Sequence, residues 1–290
     1  MKPSTVLEII FSLAIFSTVA TTLKFVHANP FTIGIVRLLI ASIGMLMVVL
    51  KKHSWSQLRQ YTKSDGKQLF LIGTLFFCHW VTYFFSIKLS SASLGILSLS
   101  TYGVFMGIIG SIVHHEPFYK RDLLASFVCV IGVFFLIPEF SFENKNTLGL
   151  LVGLISAFFY SLVPMVQKKL SHVPQNIRTF YQFFGALPFF LCTYPLSNWD
   201  LSRNDWLGLI YLGTAATLIA HTIWSKVCSE IPSKTSGLIY YTYIPLSVSL
   251  AVFVMGDELS PKVLLGAGFI FSGLLLGIAG KNLKKFNFKK

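Results

Sequence analysis

The sequence predicts an all-α integral membrane protein of ten transmembrane helices arranged as two inverted five-helix repeats. Three observations predict it: a composition too apolar for water, ten apolar runs of membrane-crossing length, and an internal repeat whose unit holds an odd number of runs. Hydrophobic residues make up 54% of the 290 and charged residues only 12%, against ~25% in soluble domains. A chain of this size cannot wrap so much apolar surface in water, so lipid is the solvent for most side chains. The formal charge of +13 raises nucleic acid as a partner, but the basic residues punctuate the apolar runs instead of forming one patch. No nucleic-acid partner is expected.

The runs cover residues 5–23, 31–50, 69–87, 89–113, 123–137, 147–167, 179–196, 206–225, 235–256 and 263–280. Most approach the ~20 residues that carry a helix across the hydrocarbon core, and the short fifth run spans by local thinning or snorkelling at its ends. Barrel strands alternate apolar and polar over ~10 residues, whereas these runs are continuous. The first run has no small-x-small cleavage site at its end and is read as a retained span, not a signal peptide. Cys78, Cys129, Cys192 and Cys228 lie inside apolar segments without CxxC spacing, as packing thiols do, and neither disulfides nor zinc are expected.

Placing the N-terminus in the cytoplasm puts eighteen basic residues on the inner side, among them Lys51, Lys52, Arg59, Lys63, Lys67, Lys168 and Lys169 and the tail at 281–290. The outer side then receives five: Lys24, Lys88, Lys145, Arg203 and Lys262. This bias places both termini in the cytoplasm and the chain in the cell (inner) membrane. The tail is read as a solvated or leaflet-binding segment.

Self-similarity appears at an offset of 142, pairing Gly95 with Gly237, Ser100 with Thr242, Glu116 with Glu258 and Lys120 with Lys262. At an offset of 144, Pro30 pairs with Pro174. The halves are therefore 1–140 and 141–280, with the basic tail after them. Five spans per unit force the second half to insert upside down, which suits alternating access about a site near the midplane.

The residues that carry the repeat also carry a resemblance. His79-Trp80, Tyr83-Phe84-Phe85-Ser86, Ser90-Ser91-Ala92-Ser93 and His115-Glu116 followed by the run from Leu123 to Gly132 are similar to the EamA-type repeat of the drug/metabolite transporter superfamily. The second copy is closer, with Ile244-Pro245, Gly256-Asp257-Glu258-Leu259-Ser260, Leu265-Gly266 and Ser272-Gly273. Tyr102-Gly103 stands where a proline is usual, and Phe16-Ser17 where a Trp-Gly pair is common. The resemblance implies a secondary transporter moving amino acids, nucleotide-like metabolites or amphipathic compounds, without a cofactor. A membrane-embedded enzyme or a receptor is the alternative. No HExxH, GxSxG or paired intramembrane Asp supports the enzyme, and a receptor would not need the repeat.

Candidate site residues follow from polarity at depth. Arg37 lies about a turn and a half into the second run, so it either contacts a solute anion or snorkels to the outer interface. His79 and His221 lie inside uncharged runs and are again 142 apart, which the repeat would bring together near the midplane. Trp80, Tyr83, Ser98, Tyr102, Tyr160, Trp224 and Tyr241 offer hydrogen-bonding groups on an apolar wall. Pro164 and Pro245 are candidate gating kinks, with Pro188 a static bend. Gly103, Gly107, Gly273 and Gly277 read as close helix contacts, and Glu116 and Glu258 as structural groups at loop-helix junctions.

The charge bias gives a direct expectation. In a cysteine-free background, single cysteines at 63 and 285 are protected from a membrane-impermeant thiol reagent applied to intact cells, while one at 145 is labelled. Labelling of position 63 from outside would sink the ten-span topology.

Overall fold

A computed structural model describes residues 3–115, 119–136, 141–231, 236 and 239–279, and among these the chain is all helical. The helices are α1 (Pro3–Phe25), α2 (Pro30–Lys52), α3 (Trp55–Leu89), α4 (Ala92–Leu99), α5 (Tyr102–His114), α6 (Lys120–Leu136) and α7 (Lys145–Lys169). They continue with α8 (Gln175–Phe184), α9 (Leu187–Cys192), α10 (Arg203–Tyr211), α11 (Thr222–Glu230), α12 (Ile244–Met255) and α13 (Pro261–Ala279). A π-helical stretch, Leu212–His221, joins α10 to α11, and a 3-10 turn, Tyr241–Tyr243, leads into α12.

Local sequence sets the boundaries. Asn29 caps α2 by accepting the Thr32 N–H, with Pro30 in the first turn, where its missing N–H costs nothing. Ser54 and Gln57 form a capping box that starts α3 fourteen residues before the third apolar run. The polar stretch 55–68 is therefore helical, and at 35 residues α3 measures ~52 Å, longer than the hydrocarbon core is thick. Its overhang is pinned by Thr62 Oγ1 to the Tyr181 hydroxyl (2.5 Å) and by Asp65 Oδ1 to His172 Nε2 (3.0 Å). Gly256 at φ 69° ends α12 in the left-handed conformation that glycine adopts without strain.

Among the described residues, six helical spans are long and apolar enough to cross a membrane: Ser4–Phe25, Pro30–Lys52, Trp55–Leu89, Ala92–His114, Lys145–Lys169 and Arg203–Glu230. The seventh apolar run is interrupted at Gly185 and Ala186, where Gly185 presses directly on the backbone of Gly73 in α3. The exterior is apolar, with Leu7, Ile112, Leu123, Phe253 and Leu275 exposed, while Arg37, His79, Gln167, Gln182, Thr217 and His221 are buried. That inside-out distribution is what a hydrocarbon solvent selects.

Two polar layers close the ends. At one end Lys24 Nζ donates to Ser90 O (2.5 Å) and Ile87 O (3.1 Å), and Lys88 Nζ returns a bond to Val26 O, so each lysine satisfies carbonyls at the end of the other's helix. At the same end the His27 N–H donates to Asp205 Oδ1 (2.8 Å) and the Ser93 N–H to Asp257 Oδ2 (2.8 Å), both across the two halves. At the other end lie Asp65–His172, His53 Nε2–Asn176 Oδ1 (3.1 Å) and Lys226 Nζ–Glu8 Oε1 (2.8 Å). Glu258 is exposed, and it is Asp257 that reaches a helix N-terminus, that of α4 instead of the following helix; Glu116 lies outside the described residues.

The small-residue contacts differ from expectation. A Cβ on Gly107 would meet nothing within 4 Å, so that glycine faces open space, whereas Gly273 lies against Cys129 and Ala125. α6 and α13 also approach closely at Gly132 and Gly266, where a Cβ on either would lie 2.7 Å from the other's carbonyl oxygen. The pair sits here because backbone carbonyls, unlike flexible side chains, cannot yield. Gly266→Leu should therefore force α6 and α13 apart and lower stability by ~1–3 kcal/mol, read as a lower melting temperature in detergent. Gly107→Leu is the control, and equal effects from the two would refute the contact.

Candidate functional site

The breaks in helical regularity collect around one cavity between the halves. Phe16 and Val19 of α1, Arg37 of α2, Leu99 at the end of α4, and His79, Trp80 and Tyr83 of α3 supply its wall from the first half. The second half supplies His221 from the π stretch, Tyr240, and Tyr243 from the 3-10 turn. The closed cavity holds ≈ 20 Å³ of space for water centres, room for about one water.

Arg37 is 1% exposed, which rules out the snorkelling alternative. Its Nε donates to Thr217 Oγ1 (3.0 Å), and the Thr217 hydroxyl donates in turn to Leu212 O (2.6 Å), five residues back along the π stretch. The wide turn therefore turns a threonine outward as an acceptor, a use of π geometry common at functional sites. The guanidinium carbon lies 4.1 Å from the centre of Trp80 and 5.2 Å from that of Phe84, contacts worth ~2 kcal/mol when desolvated. Among the described residues Arg37 has no carboxylate partner, and its Nη1 has no hydrogen bond. A guanidinium in apolar surroundings with an open donor has the chemistry to accept an anion's oxygens.

His79 is oriented with equal definition. Its Nδ1 lies 2.8 Å from Ser156 Oγ and 3.2 Å from Ser156 O, while the Ser156 hydroxyl donates back to His79 O (2.9 Å). A carbonyl only accepts, so Nδ1 carries the hydrogen and Nε2 is the ring's acceptor. Tyr160 stacks on the imidazole at 4.2 Å and 14°. His221 packs against Phe16 (4.8 Å) and Phe76 (5.4 Å).

The structure thus brings together Arg37, His79, Trp80, Tyr83 and His221 on one cavity. Tyr102 lies behind the wall, 4.7 Å from Tyr160 and 4.9 Å from Tyr240. Ser98 bonds its own helix at Gly95 O (2.9 Å) and packs on Gly153, so it is spent on packing. Tyr160 and Trp224 line a second cavity, and the side chain of Tyr241 lies outside the described residues. Pro164 is inside α7, whereas Pro188 and Pro245 occupy the first turns of α9 and α12, directly after the break at Gly185–Ala186 and the 3-10 turn, where a missing N–H costs no helical bond. Phe16, Val19 and Leu99 carry no polar signal at depth that sets them apart in an apolar run, whereas Thr217 does carry one, its buried hydroxyl. Tyr240 and Tyr243 flank the expected Tyr241 because the 3-10 turn changes which side of the chain faces inward.

Together these features define a multi-pass membrane protein whose two helical halves enclose a buried cationic site. The EamA-like transporter family pattern matches residues 4–137 and 147–278. The chain belongs to that family, in two copies of its repeat. It is 23% identical over 228 residues to a "Probable amino-acid metabolite efflux pump" of Salmonella typhimurium, covering 73% of this chain and 76% of that protein. It is 24% identical over 253 residues to the "Uncharacterized transporter YdfC" of Bacillus subtilis, covering 85% and 81%. A "Probable biotin transporter" of Pseudomonas aeruginosa is 25% identical over 122 residues, covering 40% and 43%. A solved crystal structure superposes with a TM-score of 0.69 at 20% identity, covering 96% of this chain and 98% of that one, and so shares the fold. The family and these relatives all carry names of transporters.

The shared cavity has a measurable consequence. With His79→Cys and His221→Cys in a cysteine-free protein, a short bifunctional methanethiosulfonate should join the two positions. No cross-link in any condition would mean that they do not face one space.

Proposed function

We propose that this protein is a secondary transporter that carries a small organic solute bearing a carboxylate or phosphate, by alternating exposure of the Arg37 cavity to the two sides of the membrane. The observation that carries this reading is a buried guanidinium, without a carboxylate partner among the described residues and with Nη1 unbonded, on a cavity walled by both halves. In the closed state the cavity admits little more than water, so a metabolite enters only when one polar end layer opens. Arg37 forks onto the solute's anion, Trp80 and Tyr83 hold its apolar body, and His79 Nε2 accepts a hydrogen bond from it. The reading includes ten membrane crossings, two halves of opposite orientation and cytoplasmic termini in the cell membrane. Amino acids and related carboxylates are the first solutes to test, in keeping with the Salmonella relative's name.

A thermal-shift screen of amino acids, nucleotides and common metabolites identifies a solute that stabilises the folded state by mass action. Counterflow of that solute in protein-only liposomes then tests the role of Arg37. Arg37→Lys keeps the charge but loses the planar fork, and should reduce the rate ~10-fold or more, with Arg37→Gln nearly inactive and both variants eluting as folded protein. Near wild-type counterflow for Arg37→Lys would reject the anion fork, and formation of a new product would point to an enzyme.

A further inference from the structure

A second cavity, also with ≈ 20 Å³ of space for water centres, lies beyond an aromatic partition from the first. The partition is Tyr160, Tyr240 and Trp224, with ring centres 5.8 Å apart for Tyr160–Tyr240 and 5.4 Å for Trp224–Tyr240. Tyr160 stacks on His79 of the central cavity and lines the second, so one ring bounds both. Pro164, also on the lining, lacks the N–H that would bond the Tyr160 carbonyl, which makes α7 hinge-like beside the partition.

The lining carries no charged side chain and is mainly apolar, with a few buried polar groups set into it. Gln167 and Gln182 are 3% and 1% exposed, and Gln167 Nε2 donates to Gln182 Oε1 (2.5 Å), which also accepts from Ser225 Oγ (3.3 Å). Arg178, one layer back, donates through Nη1 to the backbone oxygen of Gln167 and so fixes that residue. Three buried polar atoms on lining residues have no hydrogen bond among the described residues: the Tyr160 hydroxyl, the acceptor Gln167 Oε1 and the donor Trp224 Nε1. Leaving each dry and unpaired costs ~1–3 kcal/mol. With the Tyr160 hydroxyl in either role, an ammonium would find at most two acceptors there and a carboxylate at most two donors, with no opposite charge on the lining, too few to replace an ion's hydration. A neutral group that both donates and accepts satisfies Gln167 Oε1 and Trp224 Nε1 together.

We propose that this cavity is a second subsite, on the α7–α8–α11 side of the aromatic partition, for an uncharged donor-acceptor group of the transported solute, a hydroxyl or a carboxamide. This rests on the transport reading: solute leaves the anion-binding cavity past Tyr160 and pauses with its neutral polar end between Gln167 and Trp224. The pathway then holds two stations of different chemistry, cationic at the centre and neutral toward the end closed by Asp65–His172 and Glu8–Lys226.

Cys228 lines this subsite and supplies the test. In full-length protein with Cys78, Cys129 and Cys192 replaced by Ala, the Cys228 thiolate displaces iodide from iodoacetamide or from iodoacetate, a neutral amide and an anion of nearly equal size. If the subsite selects amides, the iodoacetamide rate saturates with concentration, and the amide-over-acid ratio exceeds that of free glutathione by ~10-fold, about one hydrogen bond's worth. Acetamide slows the reaction and sodium acetate does not. Trp224→Phe and Gln167→Met, checked for folding by size exclusion, each raise the half-saturating concentration ~5–10-fold. A linear rate with the glutathione ratio and no effect of acetamide would mean the space holds water only, and a preference for iodoacetate would reverse the charge assignment; either overturns the proposal. The measurement needs no transport, so intact saturation without counterflow would sink the transport reading, and counterflow without saturation would sink the subsite alone.

Discussion

In hydrocarbon a backbone N–H or C=O without a partner costs several kcal/mol, so a helix can depart from regularity only where protein or enclosed water receives the freed groups. Nearly everything distinctive here obeys that constraint. The α4–α5 break falls beside Leu99, the π stretch contains Thr217 and His221, and the 3-10 turn ends at Tyr243, all at or next to the central cavity. The α8–α9 break instead is sealed against Gly73, backbone to backbone. Irregularity is thus either spent on the site or covered by a glycine contact, while the lipid-facing surface is left to unbroken helix and aliphatic side chains.

The same constraint explains what the sequence made legible. Apolar runs are a property of solvent, and they locate the helices because every residue in contact with lipid reports on it. Arg37, His79 and His221 stood out because polarity at depth is expensive, and all three face the same cavity. The helical character of 55–68 was hidden because that stretch is polar; its signal was the Ser54–Gln57 capping box, not hydrophobicity. The roles of Phe16 and Leu99 were invisible for the opposite reason, since an apolar residue facing a cavity reads like one facing lipid. Ser98 misled because a serine in a helix satisfies itself on its own backbone, here at Gly95 O, and so needs no site. The prolines split by position: only at Pro164 does the ring interrupt a helix already under way.

Arg37 draws its neighbours into one arrangement. Its Thr217 acceptor exists because the helix widens there, and its aromatic roof exists because Trp80 and Phe84 are four residues apart on one face of α3. The family's usual Trp-Gly in the first helix is replaced by Phe16-Ser17, and Phe16 is itself a wall residue whose ring lies 4.8 Å from His221.

The length of α3 has a mechanical consequence. Asp65 and His79 sit fourteen residues apart on one uninterrupted helix, a separation of ~21 Å along a stiff rod, with Trp80 and Tyr83 immediately beyond. Whatever swings the Asp65 end away from His172 must also tilt the segment carrying the imidazole, the indole and the phenol. The rod acts as a lever with its short arm in the cavity, so solvent access at one face of the bilayer and the shape of the central wall are geared to each other by a single helix.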